Sequence, residues 1–492
     1  MLIQFLQNRI TQQLHFTPNQ GQKELIKLLG TFITDNNPRK AFILRGYAGT
    51  GKTSIMAALV QAMKLLNQRI VLLAPTGRAA KVLAKHAKQP AYTIHKFIYR
   101  QKQLGEDTFT LNDNLYKNTL FIIDEASMIS GKKDNPTFGS GILLDDLITY
   151  IYRGQACSML LVGDDAQLPP VGSNCSKALS ENYIAGYQLN TYAYTLTKVA
   201  RQALDSGILL NASRLRPIAL GEITGGNGIL TEQMWNNLQM LPDITTVNGA
   251  TLIEALEQAY AEVGEEETIM LTRTNKRTNI YNQGIRAKIL WREELITTGD
   301  RIMISKNNYF WTDKYDNLPF LANGDMLQVV RLRNFRQIYG YNFADAQLKA
   351  LDYEWEIDAT IWLDTITSDN PDTNHQMQQE LFNKIAEDYP ELIHNRKKLV
   401  EIIYQSPYYN ALQIRMAYAV TGHKAQGGQW ARVFIDPYIG GEQNPQPNNE
   451  EIQDFYRWLY TAITRATERV YFIKNKYTPH QSRCGRNIFA II

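Results

Sequence analysis

AFILRGYAGTGKT, residues 41–53, joins a short apolar run to a glycine-rich turn and a Lys-Thr pair. Ala41 to Leu44 reads as a buried parallel strand. Gly46 to Thr53 fits G-x-x-x-x-G-K-T and lies between a predicted strand and a predicted helix, the context a phosphate-binding loop requires. In such a loop Gly46, Gly49 and Gly51 let backbone N–H groups, Thr50 included, cradle phosphates at a helix N-terminus. Lys52 then supplies charge at the β- and γ-phosphates, and Thr53 offers a hydroxyl to Mg²⁺. The bland alternative is a glycine-rich turn with an exposed lysine.

Three more apolar runs flank this one. Ile70 to Leu73, Leu120 to Ile123 and Met159 to Val162 are followed by PTGRAA, DEAS and GDDAQLPP, which gathers the candidate chemistry at the carboxyl edge of one α/β sheet. Asp124 falls where it would meet the metal, leaving Glu125 to orient or deprotonate an attacking water. Two adjacent carboxylates would otherwise read as a helix cap, and the phosphate loop earlier in the chain tips the balance. Gln167 is either a loop amide or a sensor of hydrolysis beside the γ-phosphate.

The second half repeats the rhythm at Thr268 to Leu271, Met416 to Val420, Val433 to Ile435 and Val470 to Ile473, without a second phosphate loop. One domain therefore binds phosphates and the other can only complete the site. Between Arg301 and Asn410 the pattern turns to short β-branched and aromatic runs, then to a helical stretch around Gln379 to Tyr404. That segment reads as a β-rich insertion with a helical appendage. Residues 98–118 contain LGEDTFTLND, a plausible hairpin, and GGEQNPQPNNEE reads as a surface loop.

The chain has 492 residues, 44% hydrophobic and 20% charged, which suits a soluble protein of several domains. A net charge of +4 is too small to mark a nucleic-acid binder by composition, so a polyanion would need a focused cleft. Cys157, Cys175 and Cys484 form no C-x-x-C pair, which argues against a zinc module and for a reducing compartment. With neither a signal-peptide pattern nor an apolar stretch near ~18 residues, a cytoplasmic protein away from membranes is expected.

FTPNQ, GYAGTGKT, LLAPTGRAAK, TIHKF, IIDEAS, LVGDDAQLPPVG, LTKVARQ, TGHKAQGGQW and YTAITRA occur in the order found in superfamily 1 DNA helicases of the RecD-like and Dda-like (B) branch, which the chain resembles. The likeness spans roughly Phe16 to Gln202 and Thr268 to Ile473 and touches the insertion mainly at LANGD. It implies two tandem RecA-like domains: 1–195, with the hairpin at 98–118, and 196–300 joined to 412–492. An SH3-like insertion occupies 301–411. It also implies ATP and Mg²⁺ as cofactors, single-stranded DNA and its duplex junctions as partners, a monomer, and 5′→3′ movement in repair, recombination or replication.

Residue by residue, the resemblance gives Gln20 to adenine, Gly427 and Gln429 to the nucleotide, and Arg201 and Arg465 to the γ-phosphate. Each arginine would otherwise be an ordinary surface or ion-pair residue. It gives Thr76, His95, Thr421, His423 and Lys424 to the nucleic-acid backbone, where such groups grip without reading bases. For His95 and His423 a structural role competes. Lys81, Lys85 and Lys88 read as a solvated helix face, and Tyr309, Phe310 and Trp311 as core of the small β-domain. Phe109 is a candidate wedge at the strand junction. Two departures from the pattern are Gly422, where a β-branched or apolar residue is usual, and Gln429, where an acidic one is common. Competing readings are an RNA-directed helicase, separable by the 2′-hydroxyl, and a motor subunit of a larger recombination or nuclease complex.

Overall fold

The computed structural model describes residues 2–101, 109–133, 138–199, 206–223, 230–312, 320–353, 355–368, 371–392, 394–438, 444 and 446–474. Of these, residues up to 246 and from 425 to 472 form one compact unit, and 247–424 with 473 and 474 form the other. The division does not follow the boundaries expected at 195/196 and 411/412.

In the first unit the four apolar runs are strands of a six-stranded parallel sheet. Its members are β1 (Lys40–Gly46), β2 (Arg69–Ala74), β3 (Ala91–Thr93), β6 (Thr119–Ile123), β7 (Ser158–Gly163) and β8 (Asn190–Leu196), in the order β3-β2-β6-β7-β1-β8. Phe42, Leu44, Leu72, Ile122, Leu160 and Val162 bury one face against the helices Gln20–Thr34 and Lys52–Leu65. Near-continuous apolar runs suit a sheet covered on both faces, and loops at its carboxyl edge then carry the polar residues.

Between β3 and β6 lies the expected hairpin, β4 (Tyr99–Gln101) paired antiparallel with β5 (Phe109–Leu111). Phe109 is no exposed wedge: it is 3% exposed and stacks on Phe138 with ring centroids 4.9 Å apart. Burial of an aromatic ring outweighs what a solvent-facing position would give it.

β9 (Ile244–Val247) follows, and the second unit then opens with β10 (Thr268–Thr272). It holds a closed five-stranded barrel of β11 (Arg301–Ile304), β12 (Met326–Ile338), β13 (Tyr341–Ala350), β14 (Glu356–Trp362) and β15 (Leu412–Met416). The barrel closes where β15 lies antiparallel to β11 and parallel to β14, so its last strand falls just past the expected end of the insertion. The helical appendage is two helices, Pro371–Glu387 and Arg396–Tyr404. Their buried Leu381, Ile385 and Ile403 pack with Phe343 and Trp362 of the barrel. Of Tyr309, Phe310 and Trp311, all part-buried, Trp311 donates its indole N–H to the Asn410 carbonyl. β16 (Ala419–Thr421) runs parallel to β10.

The chain returns to the first unit with β17 (Trp430–Ile435) and its parallel neighbour β18 (Ala466–Ile473), joined by the helix Asn449–Ile463. That helix starts inside the segment read as a loop. Asn448 caps it and Glu451 reaches back to complete a capping box, a signal present in the N-x-x-E spacing. No described helix is long and apolar enough to cross a membrane.

Candidate active site

The phosphate loop leaves β1 and turns into the helix Lys52–Leu65 through two glycines in the left-handed region, Gly49 (φ 72°) and Gly51 (φ 89°). A side chain at either would also collide with its surroundings, since a Cβ on Gly51 would lie 2.7 Å from Gln22 Nε2. Thr50 is fully buried, and its hydroxyl donates to the Tyr47 carbonyl at 2.7 Å. Lys52 Nζ donates to the carbonyls of Gly46 and Tyr47 and stands 3.9 Å from Asp164 Oδ2.

Two glutamines separate at this point. Gln20, expected at the adenine, is exposed and bonds Glu24. Gln22 is 1% exposed and donates to the Thr50 carbonyl at 2.9 Å while closing a capping box with Asn19. The sequence signal for Gln22 was the N-x-x-Q spacing of Asn19 to Gln22, which holds the amide at the helix start beside the loop.

Asp124 and Glu125 leave β6 one after the other. The Asp124 carboxylate accepts the Glu125 N–H at 2.9 Å, and its pKa is raised, chiefly by burial and then by the neighbouring Glu125. Glu125 itself sits at φ 50°, an unusual conformation for a residue with a side chain. Arg465, 4% exposed, brings Nη1 to 3.6 Å from Glu125 Oε1 and also donates to the carbonyls of Thr461 and Gly428. Arg201 lies outside the described residues.

After β7, Asp164 is almost fully buried, which raises its pKa against the lowering influence of Lys52. The Tyr460 hydroxyl donates to Asp164 Oδ2 at 2.7 Å and accepts the Ala48 N–H of the phosphate loop at 2.9 Å. Next to it Thr461 Oγ1 accepts the Leu168 N–H, and Gln426 donates to the Leu168 carbonyl. Gln167 is 6% exposed, and its Oε1 makes no hydrogen bond among the described residues. Asp164, Tyr460 and Gln426 escaped the sequence reading, because a tyrosine in YTAI or an aspartate in GDD looks like core or turn until the fold places it.

The first unit thus brings together Lys52, Asp124, Glu125 and Arg465, with Thr53 next to Lys52 at the helix start and Gln167 on the loop that carries Asp164. Gly427 (φ 75°) and Gln429 belong to the same unit. A Cβ on Gly427 would come within 2.6 Å of Ala79 Cβ and 3.1 Å of Thr76 Oγ1, and the Gln429 carbonyl accepts from Arg78. Arg78 also stacks over Trp430 at 5.0 Å.

The residues assigned to nucleic acid divide between the units. Thr76 caps the helix Gly77–Ala87, its hydroxyl accepting the Ala79 N–H. His95 packs on Tyr99 and Phe138, and burial pushes its imidazole pKa down to about 4 against the opposing charge of Asp146. It is therefore neutral at pH 7. In the second unit Thr421 ends β16, His423 and Lys424 are exposed, and Lys424 Nζ donates to Asn323 Oδ1 at 2.5 Å in the LANGD turn.

A family profile described as an AAA domain matches residues 17–217, and one described as a UvrD-like helicase C-terminal domain matches 416–473. An uncharacterized protein of Acanthamoeba polyphaga mimivirus is 25% identical over 531 residues, covering 92% of this chain and 99% of its own. The ATP-dependent DNA helicase dda of Enterobacteria phage T4 is 22% identical over 472 residues, covering 92% and 98%. Among solved structures, a Pif1 helicase from Bacteroides in complex with ADP-AlF3 and ssDNA is 14% identical, with a TM-score of 0.46 and 94% of each chain covered. The two profiles and the relatives along almost the whole chain make it similar to superfamily 1 helicases of the RecD-like and Dda-like branch.

Proposed function

We propose that this protein is an ATP-dependent DNA helicase that moves 5′→3′ along single-stranded DNA. The observation that carries the reading is the convergence in one compact unit of a phosphate loop, two carboxylate-bearing loops and a buried arginine: Lys52, Asp124, Glu125, Asp164 and Arg465. The phage T4 relative, matched over almost its whole length, supports it, being an ATP-dependent DNA helicase by name.

Lys52 holds the β- and γ-phosphates. Glu125, poised 3.6 Å from Arg465, orients the attacking water, and Arg465 offsets charge that grows on the transferred phosphoryl group. Gln167 brings a buried amide oxygen that can accept a hydrogen bond from that water. Thr53 and Asp124 fit Mg²⁺: the Asp124 carboxyl, raised by burial and by Glu125, gains from a cation beside it. Bound Mg²⁺ supplies charge to the phosphates. Gly427 and Gln429 serve the nucleotide, and Gln20 would reach adenine only by releasing Glu24. Thr76 in the first unit, and Thr421, His423 and Lys424 in the second, take strand phosphates, and His95 contributes as a neutral group.

Strand separation on matched duplexes with a 5′ tail, a 3′ tail or neither, with Lys52→Ala as control, tests the reading. Unwinding from the 5′ tail alone, lost in Lys52→Ala, is expected. Unwinding from the 3′ tail alone would overturn the polarity, and ATP-independent separation would overturn the motor.

A further inference from the structure

The helix Asn449–Ile463 presents two consecutive side chains to two different loops of the first unit. Tyr460, 1% exposed, bridges the phosphate loop and the loop after β7 with a single hydroxyl, which accepts from Ala48 N–H and donates to Asp164 Oδ2. Thr461, fully buried, receives the Leu168 N–H at 2.9 Å and anchors the far end of the same loop. Arg465 follows just past the helix, near Glu125.

Three features separate this hydroxyl from an ordinary buried tyrosine. Both hydrogen-bond directions are used: its acceptor side is taken by a backbone amide and its proton goes to a carboxylate, so its orientation is determined. The carboxylate it holds is nearly inaccessible to water and also faces the Lys52 ammonium, the Ala166 N–H and Asp165. Finally, the aromatic ring completes a small cluster with Tyr47, Ala166 and Ala212, and Arg216 lies over the Tyr47 ring at 4.2 Å. The ring therefore stays in place whether or not the oxygen is there.

We propose that Tyr460 is a positioning residue for hydrolysis, its hydroxyl setting Asp164, and through Asp164 the Lys52 ammonium, in register with the phosphate loop and with the helix that leads to Arg465. The inference rests on the ATPase reading above. It makes that helix the part through which a shift of the arginine is felt at the lysine, since Tyr460 and Arg465 are carried by one rigid turn and its continuation.

The test is steady-state ATP hydrolysis by the full chain in the presence of single-stranded DNA, comparing the unaltered protein with Tyr460→Phe, Asp164→Asn and the double variant. Removing one oxygen from a ring that remains packed should lower kcat about tenfold while moving the KM for ATP less than about twofold. Because both changes break one linkage, the double variant should be little slower than Asp164→Asn alone. Thermal unfolding of each variant, and binding of a fluorescent ATP analogue, establish that the slow variants are folded and loaded. Normal kcat in Tyr460→Phe would overturn the inference, as would fully multiplicative effects in the double variant. Absence of hydrolysis by the unaltered protein would instead overturn the ATPase reading and this inference with it.

Discussion

Gly427→Ala tests the close approach between the loop before β17 and the helix Gly77–Ala87. At φ 75° an alanine takes on left-handed strain of about 1–2 kcal/mol. Its Cβ would also stand 2.6 Å from Ala79 Cβ, well inside an ordinary carbon–carbon contact. Overpacking of that kind costs about 1–3 kcal/mol, so the total should be about 2–5 kcal/mol. At ~2–4 °C per kcal/mol for a domain of 150–250 residues, the thermal midpoint should fall by roughly 4–20 °C. The two contributions can be separated. Ala79→Gly removes the partner methyl and by itself weakens its helix by up to ~1 kcal/mol. Combined with Gly427→Ala it should return the steric share and leave the strain, giving a coupling of at least ~1 kcal/mol in a double-mutant cycle. Denaturant unfolding of the four proteins measures it. Additive effects, or a Gly427→Ala protein that melts within a degree of the original, would refute the argument.

Arg465→Ala should lower turnover by ~10²–10³ or more with little loss of ATP binding, and Arg465→Lys should rescue little, because an ammonium lacks the planar fork; single-turnover hydrolysis reads both. His95 carries a pH signature. Its folded pKa of about 4 lies below the ordinary 6.5, so the unfolded chain takes the proton first and stability falls as pH drops from ~6.5 towards ~4. Between pH 7 and 5 the original protein should lose about 2 kcal/mol more than His95→Gln, and equal losses in urea titrations would exclude the imidazole as the source. Lys424→Ala should weaken single-strand binding and reduce the salt slope by roughly one ion, while a change confined to one base sequence would point to base readout instead.

The phosphate loop and the first sheet were legible because their chemistry is contiguous. An apolar run, two glycines that must take positive φ, a lysine and a threonine lie within one strand–turn–helix, and the four runs became neighbours in one sheet. The barrel was legible as β-rich, but its closing strand was not: where one strand is expected from Met416 to Val420, β15 ends at Met416, opposite Ile302, and β16 begins only at Ala419. Gln22 and Tyr460 were hidden for another reason. Their partners are backbone groups distant in the chain, Thr50 for one and Ala48 for the other; the N-x-x-Q spacing reports only that Gln22 sits at the helix start, and nothing local reports either partner. Phe109 reversed the expectation because hairpin position says nothing about which neighbour covers a ring, here Phe138.

The pairing of β11 with β15 bears on the order in which the protein is made. Ile304 meets Ile414 across the barrel seam, so the first barrel strand leaves the ribosome long before the strand that seals it. Until Leu412–Met416 is synthesised, β11 has only β12 beside it, leaving one edge open for wrong pairings. Contacts so distant in sequence form late and slowly. The helices Pro371–Glu387 and Arg396–Tyr404 emerge in the interval and can cover Phe343 and Trp362 first, giving the nascent chain an apolar shelter before its sheet is complete.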